Sequence, residues 1–211
     1  MQNPQAMPQA VWKRRFKRLI DVVGSGAALI VLSPILALIA LLVYASDGSP
    51  ILYRWRVVGK NGVPFTSWKF RTMVQGADAL KSSLLVSNEM TGPVFKMKDD
   101  PRITRLGRRL RQTSLDELPQ LFSVLKGDMS LVGPRPPLVS EYEQFSEWQK
   151  QKLSVMPGIT CLWQISGRNE IKDFDDWVRM DLQYIQQWSI AEDFRIMLRT
   201  VGVVLRGRGA Y

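Results

Sequence analysis

The sequence predicts an α+β protein built on an N-terminal broken, re-entrant membrane helix. A mostly helical domain with a small β-hairpin and amphipathic interfacial helices follows it. Three observations carry this prediction. Between Asp21 and Asp47 lie 25 residues without a charge, VVGSGAALIVLSPILALIALLVYAS, and a run above about 18 apolar residues reads as membrane-inserted rather than as a buried core helix. Ile51 to Val58 and Val63 to Arg71 read as strands joined by Gly59-Lys60-Asn61-Gly62, a hairpin signal. Further on, apolar residues recur at helical spacing opposite basic or polar faces. The chain divides accordingly into a basic tail and juxtamembrane segment (1–18), the membrane element (19–46) and a domain (47–211).

Residues 1 to 10 lack periodicity and form a tail; Trp12 to Arg18 is basic with two aromatics, suited to anionic headgroups or to setting topology. Straight and helical, the uncharged run would measure roughly 37 Å at about 1.5 Å per residue, enough to cross a hydrocarbon core of about 30 Å. Ser33-Pro34 near its middle argues for a bend or break, because proline removes a backbone donor and its ring clashes with the preceding turn. Both flanks are basic: Lys13, Arg14, Arg15, Lys17 and Arg18 before, Arg54, Arg56 and Lys60 after. The positive-inside rule asks for both on the cytoplasmic side. A helix that enters, breaks at Ser33-Pro34 and returns satisfies it; a kinked single span is the competing reading.

Composition narrows the partners. The 211 residues carry a net charge of +10 and a pI near 10.0, which suits nucleic acid, an anionic membrane surface or a phosphorylated substrate. With no histidine there is no Ser-His-Asp triad and no imidazole base, and the single Cys161 excludes an internal disulfide and a cysteine zinc site. The hydrophobic run is too long for a signal-peptide core and is expected to be retained.

Lys69 and Arg71, two apart, share one strand face. Gln75 to Met90 reads as a helix ended by Gly92-Pro93. Lys96 to Arg111 carries seven cations, with Ile103, Leu106 and Leu110 at helical spacing, and Arg111 lies nearest the next motif. That motif is Ser114-Leu115-Asp116-Glu117-Leu118-Pro119-Gln120-Leu121, in which Pro119 is best tolerated in a first helical turn and so places Asp116 near an N-cap. One reading makes Asp116 a cap and Glu117 a complement to the helix dipole. The other has two carboxylates beside a dense arginine supply serving a phosphate-bearing substrate, one attacking phosphorus and one holding Mg²⁺. In Gly133-Pro134-Arg135-Pro136-Pro137 the flanking prolines restrict the backbone, so the Arg135 guanidinium can be held ready for phosphate. Ser140 to Leu153 and Phe174 to Trp188 read as amphipathic helices around a turn-rich loop containing a short apolar strand. Ser189 with Glu192 forms a capping box for a last apolar helix whose Arg195, Arg199 and Arg206 share a face. That helix suits the headgroup plane, or burial against the domain.

The Ser-Pro break, Lys69-Phe70-Arg71-Thr72-Met73, the Asp116-Glu117 motif, Gly133-Pro134-Arg135-Pro136, Pro157-Gly158-Ile159-Thr160 and Ser166-Gly167-Arg168-Asn169 together resemble the bacterial sugar transferases, the monotopic polyprenyl-phosphate phosphoglycosyl transferases. The likeness covers nearly the whole chain after residue 12 in the family's motif order, and resembles the minimal catalytic unit. Cys161 departs from the glycine common after Gly-Ile-Thr. The resemblance implies transfer of a sugar 1-phosphate from a nucleotide diphosphate sugar, usually a UDP-sugar, to membrane polyprenyl (undecaprenyl) phosphate, with release of UMP. It implies Asp116 as nucleophile, an aspartyl phosphosugar intermediate, and Mg²⁺ held by Glu117 with Asp116. Arg111 and Arg135 would clamp phosphates, Lys69 and Arg71 would support the site, and Arg168 and Asp181 carry over more weakly as substrate-binding residues. It further implies a place in exopolysaccharide, O-antigen or glycoconjugate assembly, on the cytoplasmic face of the bacterial inner membrane. No nucleic acid is expected; self-association is left open. The alternative is a non-catalytic, membrane-tethered basic module that binds acidic lipid or nucleic acid, which accounts for the charge but not for Asp116-Glu117 or the proline-bracketed Arg135.

Overall fold

A computed structural model describes residues 11–167 and 171–206. α1 (Val11–Asp47) is one helix of 37 residues running through Ser33-Pro34, where the sequence led us to expect a break. The physical reason is local. Pro34 has no N–H for the carbonyl of Ile30, four residues back, and the Ser33 hydroxyl donates to that same oxygen at 2.8 Å. The serine repairs the bond that the proline removes.

α1 touches the rest of the chain at both ends and not in the middle. Near its start, Arg18 donates to Val124 O at 2.6 Å and Leu125 O at 2.8 Å, and Lys17 reaches Val132 O at 3.0 Å and Asp193 Oδ2 at 2.6 Å. The buried Asp21 carboxylate accepts from Ser130 Oγ at 3.0 Å and Leu131 N at 2.9 Å. Near its end, Ile39 and Val43 pack on Phe70 and Leu110. Between the two docking points, Ile30 and Val31 are more than 70 % exposed.

β1 (Leu52–Val58) and β2 (Pro64–Phe70) form the expected antiparallel hairpin, paired from Leu52↔Phe70 to Val58↔Pro64. Its turn places Asn61 and Gly62 at φ 57° and 80°, the left-handed geometry that Asn and Gly tolerate best. The helix expected over Gln75 to Met90 is instead a chain of turns with a 3₁₀ segment at Ser82–Ser87. Gly76 sits at φ 74°, and the Ser83 hydroxyl donates back to Leu80 O at 2.9 Å, so local bonds compete with a regular helix. Of the stretch Lys96 to Arg111, only α2 (Arg105–Gln112) is helical, started by Thr104, whose hydroxyl accepts from Gly107 N.

A 3₁₀ turn, Leu115–Gln120, leads directly into α3 (Leu121–Lys126). β3 (Ser130–Val132) pairs in parallel with β4 (Gly158–Thr160), a second small sheet that the sequence reading did not contain. Ser140 to Leu153 is not one helix but α4 (Val139–Tyr142), α5 (Glu147–Lys150) and a 3₁₀ turn. Ser146 restarts the helix with a reciprocal capping box to Gln149. α6 (Leu162–Ile165), α7 (Phe174–Gln187) and α8 (Ile190–Arg206) complete the chain. α7 and α8 pack through Tyr184, Ile185 and Ile196 against Val132, while Phe194, Leu198 and Val201 of α8 face outward. A separate core joins Met90, Phe145, Trp163, Phe174 and Trp177.

Gly107 lets α2 lie directly on the backbone that follows β2: a Cβ there would come within 2.1 Å of Thr72 O. No flexible side chain stands in between to give way. Gly107→Ala is therefore expected to lower the thermal midpoint, at a cost of about 1–3 kcal/mol for overpacking, and to displace Arg111 at the other end of α2. A melting curve of the purified variant beside Gly26→Ala, where the new Cβ would meet nothing closer than 4.0 Å, checks it.

Candidate functional site

Asp116 and Glu117 sit on the Leu115–Gln120 turn, both 8 % exposed. The residue before the turn, Ser114, holds a left-handed φ of 53°, a conformation that costs a non-glycine residue of order 1 kcal/mol and that clusters at functional sites. Asp116 is not a cap. Among the described residues its carboxylate accepts no hydrogen bond, and neither Ser114 nor any other side chain caps the turn.

Glu117 is tightly held. Its Oε1 accepts from Lys69 Nζ at 2.8 Å and from Arg135 Nη2 at 2.9 Å. Lys69 comes from β2, on the face it shares with Ser67 and, across the hairpin, Tyr53 and Trp55. Arg135 comes from the Pro-bracketed segment after β3, behind which Gly133 and Gly158 pass in backbone contact. Trp55 completes the group: Lys69 Nζ lies 3.6 Å and the Arg135 guanidinium carbon 5.2 Å from its ring centre. The aromatic face offers these desolvated cations a second electrostatic partner.

These contacts divide the carboxylates. Burial works against ionisation of Glu117, but Arg135 and Lys69 outweigh it and hold its carboxyl well below the usual range. For Asp116, burial and then the Glu117 charge push the carboxyl above its usual value, against the pull of Lys69, Arg111 and Arg135. Burial lowers Lys69 to about 8 in spite of Glu117. The Cys161 thiol is pushed up to about 12 by burial, so it is inert as a nucleophile.

Asp116 and Glu117 line a cleft of about 610 Å³ together with Lys69, Arg71, Arg111 and Arg135. Thus six of the residues singled out in the sequence share one cavity. Arg111 is set by its Nε on Thr72 Oγ1 at 2.9 Å. Asp181 does not line this cleft. It is buried with Lys152 in an ion pair of 2.7 Å, and Lys152 Nζ lies 4.6 Å from the ring centre of Trp177, which stacks on Trp163 with centres 4.1 Å apart. Arg168 lies outside the described residues. Sequence reasoning missed Trp55 and the Trp163–Trp177 wall of the cleft. Trp55 was legible in principle, since the hairpin register puts it on the Lys69 face.

No group of three or more carboxylate or thiol ligands occurs among the described residues, so an all-protein metal cage is absent there. Mg²⁺ binds by one or two carboxylates and completes its shell with substrate phosphate and water. Asp116 and the Oε2 of Glu117, the oxygen that Lys69 and Arg135 leave free, fit that need.

The profile of the family described as bacterial sugar transferase matches residues 12–207. The chain belongs to the bacterial sugar transferases. This transferase is 52 % identical over 194 residues, 92 % of its own length, to the galactosyl transferase CpsE of Streptococcus agalactiae. It is 44 % identical to the undecaprenyl-phosphate galactose phosphotransferase of Salmonella typhimurium over 94 % of its length. It spans only 43 % and 42 % of those two proteins. The exopolysaccharide production protein ExoY of Sinorhizobium fredii is 42 % identical, with 92 % of this chain and 88 % of ExoY aligned.

The low position of Lys69 yields a test on the site's electrostatics. Its charge is lost as the pH rises through about 8, whereas an ordinary lysine keeps it past pH 10. Phosphate binding in the cleft is therefore expected to weaken through that range, and Lys69→Arg, which stays charged, to extend binding to higher pH. Stability moves oppositely. The folded chain releases this proton near pH 8 and the unfolded chain near the ordinary lysine value of 10.5, so this group adds stability across that interval as pH rises. Affinity for inorganic phosphate titrated against pH for both proteins decides the first point; melting over the same range decides the second.

Proposed function

We propose that this chain transfers a sugar 1-phosphate from a UDP-sugar to undecaprenyl phosphate, through a phosphosugar ester on Asp116. The observation that carries the reading is the asymmetry of the carboxylate pair. Glu117 is fixed between two cations, while Asp116 is buried beside it without a hydrogen-bond donor and with its basicity raised. A buried, raised, unpartnered carboxylate is the more nucleophilic of two neighbours. The printed names of the relatives support the class: one is an undecaprenyl-phosphate galactose phosphotransferase, another acts in exopolysaccharide production.

In the first half-reaction an Asp116 oxygen attacks the sugar-bearing phosphorus. The bond from that phosphorus to the bridging oxygen breaks, and UMP leaves with the electron pair. Lys69, Arg111 and Arg135 hold the phosphoryl oxygens and offset the charge that spreads over them. Mg²⁺, held by Glu117 and Asp116 together with the diphosphate, would supply further charge neutralisation of the leaving group. In the second half-reaction a phosphate oxygen of the lipid attacks the same phosphorus, the acyl phosphate bond breaks, and the Asp116 carboxylate is restored. The site needs no imidazole for this, since a lipid phosphate is already ionised at neutral pH. A module that only binds acidic ligands would have no use for a second carboxylate buried at the centre of a cation-lined cleft.

The reading extends to topology: both ends of α1 stay on the cytoplasmic side, with the continuous helix bent rather than broken at Pro34 and its exposed middle in the lipid, placing the domain at headgroup level. Its support is the docking of both helix ends on one domain, through Arg18 on α3 and through Ile39 and Val43 on β2 and α2. Ends tied to one domain do not lie on opposite faces of a bilayer about 30 Å thick. The outward Phe194, Leu198 and Val201 of α8 suit the same headgroup plane.

Asp116→Asn and Glu117→Gln are each expected to lower turnover by roughly 1,000-fold or more. Asp116→Asn should melt at or above wild type, because it removes a buried charge that no donor satisfies. Wild type given UDP-sugar and Mg²⁺ without lipid should gain the mass of one sugar phosphate, and Asp116→Asn should not. Retained turnover in Asp116→Asn would remove the nucleophile assignment. In intact cells, cysteines placed at positions 5 and 60 should both resist an external thiol reagent; labelling at position 5 alone would establish a true span.

A further inference from the structure

Arg71 is a buried cation without a carboxylate. It is 8 % exposed and forms no ion pair with any acidic side chain among the described residues. One nitrogen, Nη2, donates to Asp47 O and Gly48 O, both at 2.9 Å, where α1 ends. Its Nε and Nη1 are buried with no acceptor among the described residues. Buried guanidinium donors are normally satisfied, and those that are not call for an explanation. Arg71 also lines the cleft that contains Asp116. An acceptor that arrives with a ligand would satisfy both donors and neutralise the charge.

The position says which ligand. Lys69 and Arg135 gather on Glu117, whereas Arg71 lies two residues beyond Lys69, about 7 Å along the strand direction, against the end of the uncharged helix. Gln75 ties down the same corner, its Nε2 donating to Ser49 O at 3.1 Å. Arg111, held on neighbouring Thr72, lies on the same wall. This is where the cleft meets the element that enters the membrane, so an anion carried on a lipid reaches it without leaving the headgroup layer.

We infer that Arg71 binds the phosphomonoester of the polyprenyl acceptor at the C-terminal end of α1, apart from Lys69 and Arg135, which gather on Glu117; Arg111, in the same cleft, is shared with the donor phosphoryl group. The inference rests on the transferase reading above. The donor diphosphate is the other source of the same chemistry, and the two are separable.

The test measures equilibrium binding to the full chain in detergent, using undecaprenyl phosphate, undecaprenol and UDP-sugar as probes. Wild type should bind the phosphate and not the alcohol. Arg71→Gln should weaken undecaprenyl phosphate about tenfold or more and UDP-sugar less than about twofold. Arg71→Lys, which keeps a charge but loses the fork, should fall between. Because Arg71 also holds the end of α1, melting curves accompany both variants. Should Arg71→Gln not fold, Arg71→Lys carries the test, with lipid phosphate weakened at least about threefold. Lipid binding within twofold of wild type in the folded variants overturns the inference, and so does a loss that falls on UDP-sugar instead. If wild type binds neither probe, the transferase reading itself falls; if it binds both and the variants do not separate them, only the assignment to Arg71 does.

Discussion

One oxygen atom, Oε1 of Glu117, joins three parts of the chain that are far apart in sequence. It takes Lys69 from the hairpin and Arg135 from the segment after β3, while its own backbone belongs to the turn that leads into α3. A buried carboxylate without cations, or buried cations without a carboxylate, would each cost several kcal/mol. The three therefore stabilise one another's burial, and removing Glu117 would leave two buried cations without the acid that pairs them. Asp116 is shaped by this arrangement rather than a member of it: the cations are engaged next door, and burial, with the Glu117 charge added to it, raises Asp116.

A second constraint is the way the apolar helix is tied to the domain. Its first docking point is polar, built from Lys17, Arg18 and Asp21 on carbonyls, amides and Asp193. Its second is apolar, built from Ile39 and Val43. Directional bonds at one end set rotation about the helix axis, which apolar packing alone does not set well. Gly24 serves the same contact, since a Cβ there would lie 2.9 Å from Leu131 Cδ1.

Much of the cleft was legible because the resemblance to the family's motifs selected it. A carboxylate pair, a proline-bracketed arginine and two cations spaced two apart on a strand each also have a bland use, as cap, connector and solvated face, yet Lys69, Arg71, Arg111, Asp116, Glu117 and Arg135 do share one cavity. The capping reading of Asp116 failed because it assumed an α-helical start, whereas a 3₁₀ turn entered through a left-handed Ser114 presents the side chain elsewhere. Regular elements were overextended where short polar residues intervene. Ser146 restarts a helix that its apolar spacing ran straight through, and Gly76 and Ser83 dissolve the helix expected over Gln75 to Met90. The short apolar strand was read where β4 lies, but β3 and its pairing with β4 were not, because a three-residue strand has no period to detect. Asp181 entered only through the family resemblance, and its buried ion pair with Lys152, 29 positions upstream, was not legible because no local pattern links the two.

The bond from Lys17 to Asp193 spans 176 positions, and this bears on how the molecule comes to exist. On the membrane reading proposed above, the apolar helix meets the lipid before its partner acid is made, and Lys17 and its neighbours then wait at the headgroups, which accept cations readily. The contacts of Asp21 with Ser130 and Leu131, and of Lys17 with Asp193 on α8, close only once those residues have been made. On that reading the domain assembles against a surface already in place, with its orientation set before its cleft is formed.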